Sequence, residues 1–247
     1  MGTKVNRISF YRILLIGIVN IIVVWRDASV YHTVLRGKES NFYEFLLFSS
    51  SNVYFIALFG VLSIWILMAD YREITNRDLL VMMRFQRRSI YYKARMKNQA
   101  LRVVIYVIAI FTIRFVIALL MQYPITTTWN YLPEYEVYTQ GEIYMLIGKI
   151  FLGMMGYFCF FTWLRENVEE QSSLLRIQNI VMGMVPLIEL GLYKNTNIKL
   201  IQYLPLGHAS VYVQGYERSM IEIIVYWLLV LYMLWWVRMT FYIQKDY

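Results

Sequence analysis

DYREITNRDLLVMMRFQRRSIYYKARMKNQALR, residues 70–102, lies between two long apolar runs and decides how the rest of the chain is read. It carries nine Lys/Arg against three Asp/Glu and contains neither Pro nor Gly, so a helix is allowed over its whole length. A polar segment this basic beside apolar spans belongs on the cytoplasmic side of a membrane, where Lys and Arg accumulate. Its own pattern is amphipathic. Met82, Phe85, Ser89, Tyr92 and Met96 recur at spacings of three and four, while Arg84, Arg88 and Arg95 gather on another face. A helix of this kind is built to lie against a surface.

Composition agrees with a membrane setting. Of 247 residues, 59% are hydrophobic and only 16% charged, with a mean hydropathy of +0.47, which excludes an ordinary soluble domain. Much of the aromatic content (22 Tyr, 14 Phe, 7 Trp) falls at the ends of apolar runs, as interfacial belts require. The lone Cys159 lies inside an apolar run, so neither a disulfide framework nor a Cys-based metal site is expected. Most of the +8 net charge sits next to apolar runs. Its expected counter-charges are anionic lipid headgroups or an acidic partner surface, and nucleic acid is not an expected partner.

The apolar runs predict an all-α integral membrane fold, one transmembrane domain over residues 1–247, with six spans at about 13–25, 53–69, 101–122, 143–164, 177–193 and 220–242. The first run follows Lys4, Arg7 and Arg12. It is read as an uncleaved span, because Arg26 and Asp27 follow with no small-residue cleavage pattern. The apolar stretch from Phe42 to Ala69 is too long for one crossing. It divides into a short outer interfacial helix, a break near Ser49-Ser50-Ser51 and the second span. Residues 123–142 hold Glu134, Glu136 and Glu142 and no basic residue, as an outer loop should. Gly148, Gly153 and Gly156 on the fourth span are small enough to let another helix approach closely. Pro186 predicts a kink in the fifth. Residues 198–215 are too apolar for water and too broken by Pro205 and Gly207 to cross, which predicts an outer re-entrant segment. With both termini cytoplasmic, 16 Lys/Arg fall in inner segments and 6 in outer ones, and the flipped orientation would reverse that ratio.

Four charges fall inside the predicted spans: Arg114, Lys149, Glu189 and Glu222. Each is costly in lipid and must face protein or water, so interhelical pairs such as Arg114 with Glu189 or Lys149 with Glu222 are expected. They serve either as a structural clasp or as the lining of a substrate path. His32 and His208 fall in outer loops without metal-ligand spacing, and no metal site is predicted. No phosphate-binding loop is present, since Gly148-Lys149 lacks the earlier Gly and the Ser/Thr, so this chain does not hydrolyse ATP by itself. The basic helix fits three partners: lipid headgroups, a cytoplasmic protein to which it transmits motion, or a calmodulin-like or nucleic-acid target. The interleaved Met82, Met83, Phe85, Tyr91, Tyr92 and Met96 favour the protein contact.

In the order of these features, and at MRFQRRSIYYKARMK (83–97) and YLPLGHASVY (203–212), the chain resembles the permease subunits of bacterial type-2 ABC exporters, particularly small ones of bacitracin, lantibiotic and other antimicrobial-peptide export or immunity. The resemblance covers the whole chain as an arrangement. It departs at the N-terminus, where the connector helix that often precedes the first span is short or absent. It implies a multi-pass cell-membrane subunit that is not itself an enzyme and whose coupling helix lies within residues 70–100. That helix would contact a separate ATP-binding P-loop subunit through Arg84, Phe85, Arg87, Arg88 and Tyr92. ATP and Mg would be bound on that partner, and a second permease, identical or related, would complete the pathway. The rivals are a membrane scaffold or sensor that recruits a partner through its basic helix, and a membrane-embedded enzyme. The enzyme is disfavoured because no His, Asp and Cys set converges within the spans.

Overall fold

The computed structural model describes residues 11, 14–15, 17–26, 41–68, 88–126, 139–169, 175–194, 203–210, 212–213 and 216–245. The described chain is helical, apart from a two-residue antiparallel ladder. In chain order the elements are α1 (Gly17–Arg26), α2 (Phe42–Ser51), α3 (Val53–Met68), α4 (Arg88–Leu120), α5 (Gln140–Glu169), α6 (Leu175–Lys194), α7 (Pro205–Ala209), β1 (Tyr212–Val213), β2 (Tyr216–Glu217) and α8 (Met220–Lys245). In the ladder Tyr212 pairs with Glu217 and Val213 with Tyr216.

Among the described residues three helices are long and apolar enough to cross a membrane: Lys93–Leu120, Gln140–Leu164 and Met220–Thr240. α2 and α3 together make a fourth such length, bent by 58°. The other two predicted spans are represented by the apolar stretches Gly17–Arg26 and Gly183–Leu192.

The bend between α2 and α3 comes one residue later than the three serines suggest. Asn52 leaves the helix with φ −62° and ψ 119°, ending α2. It also starts α3: its Oδ1 accepts from Tyr54 N at 3.0 Å, and its carbonyl accepts from Phe55 N and Ile56 N. α2 is not the interfacial helix expected of it. Phe42, Phe45, Leu46, Ser49 and Ser50 are buried, and Phe42 N donates to Pro124 O, so this helix is packed into the bundle against the end of α4. Its opening turn is closed by a capping box, in which Glu44 N donates to Asn41 Oδ1 at 2.7 Å and Asn41 N to Glu44 Oε2 at 3.2 Å.

α4 runs 33 residues without a break, so the basic segment from Arg88 onward and the third predicted span are one helix. It ends where Gln122 adopts φ 56°, a left-handed termination two residues before Pro124. α5 is central, touching α2, α3, α4, α6, α7 and α8. Its Tyr157, Phe158 and Phe161 are fully buried in one cluster with Phe55 and Phe59 of α3 and Val107 and Ile110 of α4. Tyr106 of α4, almost as deeply buried, donates its hydroxyl to Phe59 O at 3.3 Å. Close packing of these side chains, with the Tyr106 hydrogen bond across it, holds the helices together. The close approaches are at glycines, and besides Gly60, where a Cβ would lie 2.8 Å from the Tyr157 ring, two of them are on α5. A Cβ on Gly156 would lie 2.2 Å from the indole of Trp227 on α8, and one on Gly153 2.7 Å from the carbonyl oxygen of Ala209 on α7.

Candidate functional site: a clamped short helix

YLPLGHAS, residues 203–210, forms a turn and a five-residue helix whose side chains from Leu206 to Ser210 are all buried. Pro205 at the first helical position supplies a preset φ and has no N–H to satisfy, which starts α7 at little cost. So short a helix cannot hold itself together, and its neighbours fix it at each end.

At its start no side chain of its own caps the helix, and Glu189 of α6 takes that role. The Glu189 carboxylate accepts from Leu206 N–H and from the Tyr157 hydroxyl of α5, the latter at 3.1 Å. At its far side the guanidinium of Arg218 donates through Nε to Gly207 O at 3.0 Å and forms an ion pair with Glu222 on the first turn of α8. Ser219 supplies the α8 N-cap, accepting from Glu222 N at 3.1 Å, so the capping residue and the ion pair share one turn. The His208 ring stacks on Tyr226 with centroids 3.4 Å apart and planes 13° from parallel, and Tyr226 Oη donates to Tyr203 O at 3.2 Å. Ser210 Oγ donates to Ser51 O at 3.1 Å, which ties the turn to the α2–α3 bend. The two breaks in the helical bundle are therefore joined, and Gly153 provides the floor against which Ala209 sits.

The predicted charged residues fall into two groups. Glu189 and Glu222 belong to the clamp, holding opposite sides of α7. The carboxylates that the sequence reading set against Arg114 and Lys149 have Tyr157 and Arg218 as their partners. Counting opposite charges on different helices does not resolve depth, and Arg218, which satisfies Glu222, lies just outside the span. Arg114 is fully buried at the α2–α3 bend, with its guanidinium carbon 3.3 Å from the centroid of the Phe55 ring. A desolvated contact of this kind contributes about 2 kcal/mol. Lys149 is buried on α5. Of the coupling residues, Arg84, Phe85 and Arg87 lie outside the described residues, as does His32, while Arg88 and Tyr92 fall in the first two turns of α4.

Tyr157, His208, Arg218 and Tyr226 were not singled out as members of a site. Part of the arrangement was signalled in the sequence by a repeated pattern. Asn41-x-x-Glu44, Thr139-x-x-Glu142 and Ser219-x-x-Glu222 each place a capping residue three before a glutamate, at the start of α2, α5 and α8. Among the described residues no three His, Cys, Asp or Glu side chains converge as metal ligands. The cluster holds a short helix against the α5 mid-section through the Glu189 and Glu222 carboxylates, the Arg218 guanidinium and the hydroxyls of Tyr157, Ser210 and Tyr226. Compared with known proteins, the chain matches no family model, no curated protein and no solved structure.

Proposed function

We propose that this chain is the membrane-spanning permease subunit of an ATP-driven bacterial exporter, with six spans, both termini cytoplasmic, and a separate ATPase subunit docked on its basic segment. The cargo in this reading is hydrophobic or amphipathic, a peptide antibiotic or similar molecule. The observation that carries the reading is the continuity of α4. Its 33 residues make a rod of about 50 Å, whereas the hydrocarbon core is about 30 Å thick. Part of the rod therefore projects, and the projecting end bears Lys93, Arg95, Lys97 and Arg102. Lys93, Lys97 and Arg102 are exposed while Met96 and Gln99 are buried, as in a lever seated on its own protein with its charges turned outward. A motion imposed on residues 88–92 by a partner reaches the span without an intervening hinge. The clamp around α7 supports the same reading, because it anchors a short non-spanning helix between α5, α6 and α8, whose relative tilt the lever changes.

The test is purification of the chain from its native membrane in mild detergent, followed by mass spectrometry of what accompanies it. A stoichiometric P-loop ATPase is expected, and it should be lost from the Arg87→Glu/Arg88→Glu variant while that variant's spans stay folded. Absence of any ATPase after cross-linking, or normal assembly and transport by the charge-reversed variant, would overturn the proposal.

A further inference from the structure

On α4 the exposed residues Lys97, Leu101, Ile105, Ile108, Phe115 and Leu119 recur at helical spacings and form one stripe along the helix. Its apolar part, from Leu101 to the helix end at Leu120, is about 30 Å long, which is the thickness of a hydrocarbon core. Lys97 stands one turn before the apolar part, about 6 Å outside that layer, and the headgroup region is about 5–8 Å deep on each side. Lys93, also exposed, follows one turn further out on the same face, and Arg102 flanks it. α4 contains no Asp or Glu, and neither Lys93 nor Lys97 meets a carboxylate among the described residues.

Two neighbouring helices change character at the same level. α5 runs antiparallel to α4, with Phe151 against Phe111 at 5.9 Å between ring centroids and Phe158 against Tyr106 at 5.3 Å. Continued along both helices, this register brings Lys97 level, to within a turn, with Arg165, where the apolar run of α5 ends. α8 runs parallel to α5, with Met220 beside Gly148 and Trp227 beside Gly156. The same extension brings Arg238, the first charge of α8 after Glu222, to the level of Arg165. Three helices therefore leave their apolar layer in one plane, each at a basic residue. Arg238 is buried, whereas the lysines of α4 face outward. Cations in this plane above an exposed apolar stripe restrict what covers them. An acidic protein surface matches the lysines and leaves the stripe bare. An anionic phospholipid matches both, with a phosphate at the lysines and acyl chains on the stripe.

We propose that this face of α4 is a binding surface for an anionic phospholipid. The phosphate sits between Lys93 and Lys97, whose Cβ atoms, one turn apart, are about 5–6 Å from each other, and an acyl chain lies along Leu101, Ile105 and Ile108. The lipid fixes the depth of α4 in the bilayer and hence how much of the rod projects, while residues up to Tyr92 stay open to a protein partner. The inference rests on the proposed function only in that α4 crosses a bilayer, and it uses neither the ATPase nor the cargo.

The test is local quenching. The full chain carrying Leu101→Cys is labelled there with bimane, Cys159 being buried, and is placed in phosphatidylcholine vesicles. Either phosphatidylglycerol or phosphatidylcholine with brominated acyl chains is then added in equal amounts. Phosphatidylglycerol should quench the more strongly, with a preference that falls about fivefold for each of Lys93→Gln and Lys97→Gln and returns with Lys97→Arg. Salt at 1 M should abolish it. A label at Leu228→Cys, on the exposed face of α8, should show no preference. Equal quenching by the two lipids at position 101 would overturn the inference. So would a preference that survives both Gln substitutions, with loss of a co-purifying protein from that double variant identifying an acidic protein as the occupant. Displacement by inorganic phosphate at constant ionic strength would also overturn it, since a free anion would then be the ligand. Equal quenching in a chain that still brings down an ATPase removes this surface and leaves the exporter standing. A lysine-dependent preference in a chain that brings down no ATPase upholds the surface and removes the exporter.

Discussion

Gly153→Ala is the sharpest perturbation of the clamped turn. The added methyl would sit 2.7 Å from Ala209 O, 3.2 Å from its carbonyl carbon and 3.3 Å from its Cα, all backbone atoms that cannot rotate away. Ordinary contact starts at 3.4 Å, so α5 and α7 must separate by about 0.7 Å. That shift stretches the Ser210–Ser51 and Arg218–Gly207 hydrogen bonds, now 3.1 Å and 3.0 Å, toward the limit of useful geometry. Overpacking of this kind costs about 1–3 kcal/mol, against which the replacement of Gly by Ala in a helix returns about 0.5–1 kcal/mol. Gly148→Ala on the same helix is the control. Its new Cβ meets only Met220 Cε at 3.8 Å, so it keeps the helical gain without the clash. The two variants should differ by about 1–3 kcal/mol, or roughly 2–10 °C in melting temperature, measured on the purified chain in one detergent. If Gly153→Ala melts with or above Gly148→Ala, α7 is not seated on α5 in the way described.

Two other expectations follow from single contacts. Tyr157→Phe and Glu189→Ala, taken singly and together, should show a coupling of about 1–3 kcal/mol, because each residue alone leaves the other's buried group unsatisfied. Strict additivity in thermal or denaturant melts would show that Glu189 does not cap α7 through this pair. Gln122→Gly should stabilise the end of α4 by about 1 kcal/mol, since Gln122 holds φ 56° and glycine adopts that region freely. Unchanged or lowered melting would mean that the Gln122 side chain contributes more than its backbone costs.

Several elements are legible in the sequence alone because their signals are local. The unbroken apolar runs at 101–122, 143–164 and 220–242 emerge within the three long apolar helices, since length and composition alone satisfy the bilayer criterion. Pro205 and Gly207 marked a segment too broken to cross, and the serine run placed the α2–α3 break to within a residue. The small residues Gly153 and Gly156 were read as points of close approach, and they are. The candidate site was less legible. Glu189 and Glu222 were visible as costly charges, but their partners depend on depth and on which helix neighbours which. His208 looked like an ordinary loop residue until burial and the Tyr226 ring gave it an environment.

The sequence by itself determined the helical, apolar character of the chain and the places where its helices must start, break and end. Those follow from residue type at fixed short spacing: hydropathy, capping pairs, proline and glycine. Only the tertiary structure decided that α2 is packed rather than interfacial, that the helix of the third span continues back through the basic segment to Arg88, and that two breaks far apart in sequence meet at Ser51 and Ser210. The physical reason is that a buried polar group takes whichever partner the packing brings within about 3 Å. Packing is a property of the assembled helices, not of any one of them.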